Sequence, residues 1–180
     1  MKMSLDTVSY CGYFTDGETV PLEEAMKRAS RFGYDAIDVF AHRPMGFPMD
    51  ISADRRKQIV ELAQSLELEF AAVECCTSFM SSNHALLFPQ EKEILYVKEA
   101  CKLARDLGIN VVRVLAGFVG YFMNEHALTG YGNPAFQSRS MAVSTNDDWL
   151  KQWAFVRAGL KEVATIAQDY GVTLALQNHP

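Results

Sequence analysis

Apolar residues in this chain follow two alternating rhythms. Leu22, Ala25, Met26 and Ala29 recur at helical spacing, as do Ile59, Leu62, Ala63 and Leu66, and then Ile94, Val97, Cys101 and Ala104. Between these stripes lie short apolar runs of strand length: residues 36–40, 70–75, 111–115 and 172–177. An earlier run, residues 3–10, reads as a first strand, followed by a loop over 11–20 that holds Gly12, Asp16 and Gly17. Pro21 suits the first turn of a helix, and Ser52 suits an N-cap. Asp147 suits the cap of a long fourth helix carrying Trp149, Trp153, Leu160, Val163 and Ile166. Gly33, Gly108 and Gly171 each follow a helical stripe, where glycine accepts the left-handed conformation of a helix end.

The junctions repeat. "RFGYDAIDVF", "SLELEFAAVE", "DLGINVVRVL" and "DYGVTLALQN" each run from a helix end into a strand. Strand, loop, helix and strand follow one another without a hairpin signal, which demands parallel strands with right-handed crossovers. Two architectures meet that demand, a (β/α)₈ barrel and a doubly wound open sheet. No GxGxxG follows the first strand, which lowers the nucleotide-binding form of the open sheet. Strand alternation favours the barrel. Ile37 and Val39 oppose Ala36 and Asp38, Ala71 and Val73 oppose Ala72 and Glu74, and Leu174 and Leu176 oppose Thr173, Ala175 and Gln177. One face is apolar enough to hold helices, while the other carries small residues with polar tips, as a barrel interior does near its mouth.

The expected fold is therefore α/β, a parallel TIM-barrel type with about five strands and four helices of the eight units. A complete barrel of this type has about 250 residues. Residues 1–180 are expected to form the N-terminal part of one barrel domain, the last strand being an open edge. The stretch 117–146, rich in Gly, Ser, Asn and aromatics, is long enough for a lid or a partner surface.

Composition narrows the function. A hydrophobic fraction of 49% supports a packed core. The net charge of -5 argues against a nucleic-acid surface, which needs a basic stripe. No run of about 18 apolar residues suggests a membrane span, and Asp6 stands where a signal peptide needs an apolar core. A cytoplasmic location is expected. Cys11, Cys75, Cys76 and Cys101 show no CxxC spacing and read as reduced core thiols.

In a barrel, chemistry gathers at the C-terminal ends of strands. Asp38, Glu74, Arg113, Gln177 and His179 are expected there, with His42 and His84 on the loops just beyond. Two carboxylates, a guanidinium and imidazoles suit proton transfer on a polyol, often with a divalent metal. Each residue also has a plain structural role open to it. Asp38 suits an ion pair with Arg113, Glu74 an ordered ion pair, and His84 a local hydrogen bond. His126 reads as a surface residue. Gln177 and His179 share a strand face, which favours a functional role.

At these residues the chain resembles the xylose isomerase-like TIM-barrel superfamily, the sugar phosphate isomerase/epimerase group. The carriers are "GYDAIDVF" followed by "AHRP", then "LEFAAVECC", "DLGINVVRVLAG" and the closing "GVTLALQNHP". The resemblance implies a metal-assisted isomerase or epimerase acting on a sugar, sugar phosphate or cyclitol through an enediolate-type proton transfer, active only together with a C-terminal half. Dehydratases of the same superfamily, or a non-catalytic barrel fragment serving as a binding subunit, are the alternatives. It also implies a divalent metal (Mn, Mg, Co or Zn) held by a Glu, an Asp, a His and a Glu from strands five to eight. The first of these positions matches Gln177, whose neutral amide is a weaker ligand for a hard cation than a carboxylate. Glu74 is the expected catalytic residue. Asp38, His42, His84, Arg113 and His179 are expected on the substrate side. The expected partner is a small polyol or sugar, without nucleic acid or membrane, and a homo-oligomer is compatible with this reading.

Overall fold

The computed structural model describes residues 1–12, 17–79, 89–117 and 147–178. Within them five strands alternate with four helices: β1 (Ser4–Asp6), α1 (Leu22–Arg31), β2 (Ala36–Phe40), α2 (Ala53–Ser65), β3 (Glu69–Glu74), α3 (Pro89–Leu107), β4 (Val111–Leu115), α4 (Asp147–Asp169) and β5 (Thr173–Gln177). All four strand pairings are parallel, and the spatial order is the sequence order, β1-β2-β3-β4-β5. A doubly wound sheet reverses its order at a switch point, whereas this arc does not, so the barrel reading holds.

The helical stripes are where the spacing put them. Leu22, Ala25, Met26 and Ala29 are fully buried on α1, and Val97, Cys101 and Ala104 on α3. On the strands, Ile37 and Val39, Val73, and Val112 and Val114 are fully buried in the same apolar layer. Each such side chain removed from water contributes about 1.5–3 kcal/mol. Among the described residues no helix is long and apolar enough to cross a membrane.

The repeated junction has one geometry. The residue after each helical end donates back across the last turn: Tyr34 to Ala29, Leu68 to Ala63, Ile109 to Ala104 and Val172 to Ala167. That bond satisfies a carbonyl the helix leaves open. Gly33, Gly108 and Gly171 take the required positive φ (80°, 74° and 71°), and in the second repeat Glu67 takes it at 55°.

The structure corrects three local expectations. The first strand is short, because the Asp6 side chain accepts from the Val8 N–H (3.0 Å) and turns residues Thr7–Tyr10 into a 3-10 turn. The strand pairing slips between Ile37 and Asp38, so that Ala71 bulges while Ala72 and Glu74 pair with Asp38 and Phe40. None of the four cysteines forms a disulfide; Cys11, Cys75 and Cys101 are buried, while Cys76 is exposed. Ser52 caps α2 as expected, accepting from the Arg55 N–H, while α4 begins at Asp147 itself. Val163 on α4 is core, and Trp153 is half exposed.

Candidate active site

Residues paired across a parallel sheet share a face, so the register assigns the inner rows. Asp6, Asp38 and Ala72 form one row, Phe40, Glu74, Arg113 and Ala175 the next, and Leu115 and Gln177 the last. Glu74 and Gln177 therefore close their strands. Asp38 and Arg113 do not, contrary to expectation; each lies two residues below its strand end.

Arg113 organises the interior. Its guanidinium donates to Asp6 at 2.8 Å and makes an ion pair with Glu74. Glu74 Oε2 and Arg113 Nε both remain without a well-aligned hydrogen bond. The expected Asp38–Arg113 pair does not form; the Asp38 carboxylate instead accepts from Ser4 Oγ at 3.1 Å. Asp6 is the site residue that sequence reasoning missed. Its place was visible in hindsight, because the first strand ends in an acid as the third does.

Two carboxylates, Asp6 and Glu74, thus share one guanidinium, with Asp38 next to Asp6 in the same row. Burial first, and then the neighbouring Asp6, push the Glu74 carboxyl up to about 8, against the pull of Arg113. Burial likewise raises Asp38, with Asp6 adding to it. For Arg113, burial opposes the charge, but Glu74 and Asp6 outweigh it and hold the guanidinium above its ordinary value. The result is a carboxyl at the barrel mouth whose proton affinity is raised and which has a fixed cation beside it. Such a group both gives and takes protons in the physiological range.

The strand ends are tied together by two buried hydroxyls. Thr7 Oγ1 donates to the Asp38 carbonyl (2.9 Å) and accepts from the Phe40 N–H (2.8 Å). Thr77 Oγ1 does the same on β4, donating to the Leu115 carbonyl (2.6 Å) and accepting from its N–H (2.9 Å). Each hydroxyl replaces a backbone partner where the adjacent strand has already ended.

The loop after β2 is held against α3. The His42 ring stacks on Phe40 (4.6 Å between centroids) and meets Tyr96 edge-on (5.3 Å). Burial lowers its pKa, and its Nε2 has no hydrogen-bond partner. The Tyr96 hydroxyl donates to the Ala41 carbonyl at 2.8 Å. Gly46 is dictated by close approach, since a Cβ there would lie 2.5 Å from Val39 Cγ1. Arg56, only 7% exposed, anchors the far end of the loop by donating to the carbonyls of Ile51 and Pro48 and to Asp106.

Gln177 ends β5 on the inner face beside Leu115. Among the described residues no group of three His, Cys, Asp or Glu side chains converges as a metal cage. Gln177 offers one neutral oxygen, so the described residues do not by themselves fit the metal that the resemblance implies. His84, His126 and His179, and residues 118–146 of the expected lid, lie outside the described residues.

The architecture has known counterparts. Fructoselysine 3-epimerase of Escherichia coli O157:H7 is 28% identical over 122 residues, which span 66% of this chain and 44% of that enzyme. The IOLI protein, solved with a bound zinc atom, superposes with a TM-score of 0.62 at 15% identity, over 99% of this chain and 51% of that one. The probable 3-DHS dehydratase AsbF from Bacillus anthracis gives 0.65 at 15% identity, over 100% and 53%. The chain thus spans about half the length of these relatives. The family model for the xylose isomerase-like TIM barrel matches residues 26–180, from the middle of α1 through β5. With its strands in barrel order and its polar residues gathered on the inner face, the chain belongs to the xylose isomerase-like TIM barrel family.

Proposed function

We propose that residues 1–180 form the N-terminal part of a barrel domain whose activity is isomerisation or epimerisation of a sugar, sugar phosphate or cyclitol. The observation that supports this most is Glu74, a half-buried carboxyl at the barrel mouth whose pKa is raised by burial and by Asp6, with Arg113 fixed beside it. A hydrogen next to a ketose carbonyl is acidic enough to be removed by such a group. Carboxylate Glu74 takes that proton, and an enediolate-type species forms. Return of a proton to the opposite face, from a second acid supplied by the rest of the barrel, inverts the carbon, while return by Glu74 to the neighbouring carbon isomerises the sugar. Arg113 holds Glu74 in place and balances its charge when the proton leaves. Asp38, His42 and His179 are assigned to the substrate side, as is His84. The substrate is a small polyol, and the cytosol is the expected compartment.

The family relatives include an epimerase that acts on a ketose derivative, fructoselysine. Loss of a β-hydroxyl after the same proton abstraction would give dehydration instead, the activity ascribed to AsbF. Incubation with D-fructose and related ketoses in D₂O separates the outcomes by NMR. Deuterium entering next to the carbonyl with formation of the epimer supports the epimerase, and an unsaturated product supports the dehydratase. Glu74→Gln is expected to lower the exchange rate by about 10²–10⁴-fold. Unchanged exchange in that variant would remove Glu74 from the mechanism.

A further inference from the structure

Next to the loop after β2 lies a cavity of about 360 Å³, lined in part by the substrate-side His42. Its walls come from three places: His42 and Phe47 after β2, Cys76 just past β3, and Glu93, Tyr96 and Glu99 along one face of α3. The volume falls in the range of small-molecule sites. The rings stand in file. Phe47 stacks on Tyr96 at 6.4 Å, Tyr96 meets His42, and His42 lies on Phe40. Phe40 is the inner-face partner of Glu74. Cys76 feels the charges of both Glu74 and Glu93. His42 and Cys76, which line the cavity, thus neighbour Phe40 and Glu74 of the barrel mouth.

The lining selects one kind of occupant. Glu93 and Glu99 flank Tyr96 on the helix at a spacing of three residues, which places all three on one face. The Tyr96 hydroxyl is already committed to Ala41, so its ring is what the cavity meets. Glu93 accepts from the Ser78 backbone N–H, and burial raises its pKa. Among the described residues it has no ion pair, whereas Glu99 meets Lys102 at 3.9 Å. Lys92 also borders the cavity, and with Glu99 met by Lys102, Glu93 is the lining carboxylate left without an ion pair among the described residues. Carboxylates beside aromatic faces attract a cation. An anionic occupant would meet them with like charge, and a neutral apolar one would leave a half-buried carboxylate without a countercharge.

The geometry points to this cavity as a subsite for a primary ammonium group on an aliphatic arm, reaching sideways from a polyol bound at the barrel mouth. The polyol part rests on the isomerase/epimerase reading above, while the ammonium site rests on the cavity alone. The chain is titrated with n-butylammonium and with 1-butanol, and binding is followed by protein NMR. Butylammonium is expected to bind about tenfold more tightly than butanol, and Glu93→Gln to bring the two within about twofold. Equal binding of the two probes by the wild-type chain would overturn the assignment, as would a preference that survives in a folded Glu93→Gln chain. Should Glu93→Gln fail to fold, the wild-type comparison together with Glu99→Gln decides. Deuterium exchange into D-fructose, which carries no arm, reports on the epimerase reading separately.

Discussion

Glu74 stood out in the sequence as an acid at the end of an apolar strand, where both catalysis and an ordered ion pair were open to it. Its charge state was not legible there, since that depends on Asp6 and Arg113 arriving from strands far apart in sequence. The raised pKa has a thermodynamic consequence with a definite sign. A folded-state value near 8, against an ordinary 4.5, means that the folded chain binds the extra proton between those limits. The part of the stability that comes from this proton is fully present below about pH 4.5 and is lost as pH rises toward 8. Urea denaturation between pH 5 and 8 is expected to show falling stability with rising pH, and Glu74→Gln is expected to flatten that slope. A wild-type curve that rises across this window would mean that Arg113 wins and the carboxylate is ionised throughout.

At the level of elements, most of the fold was legible because stripe and junction repeat. β2 and β4 have the ends that the hydrophobic pattern gave them. The junction also explains the one departure. Gly33, Gly108 and Gly171 stand where the chain turns left-handed, and Glu67 does so in their place with a Cβ. A non-glycine residue in that region costs about 1–2 kcal/mol, and glycine returns part of it as unfolded-state entropy. Glu67→Gly is expected to stabilise the chain by about 0.5–1 kcal/mol, read as a higher urea midpoint at unchanged slope. The threonine ties were not legible, since a hydroxyl that fills in for a missing strand partner leaves no periodic trace. Thr77→Val keeps the shape and strips both bonds from Leu115. That is expected to cost about 2–3 kcal/mol, because a buried N–H and a buried carbonyl lose their partners together.

For the whole molecule, the order of parallel strands followed from the absence of hairpins, but the consequence for the sheet edge needs the structure. β5 pairs only with β4 among the described residues, so one row of its backbone groups has no partner there. Its outward side chains differ. Leu174 packs against the core, while Leu176 is 58% exposed. An open strand edge beside an exposed leucine is a surface onto which another strand adds readily. This chain is therefore expected to self-associate with rising concentration in sedimentation velocity. Leu176→Lys places a charge on that edge and is expected to shift the distribution toward monomer. The same substitution is expected to change unfolding free energy by less than about 0.5 kcal/mol, because the side chain is mostly in solvent. Association that is unchanged in Leu176→Lys would place the contact elsewhere, and a wild-type chain that stays monomeric at every concentration would show that this edge is not adhesive.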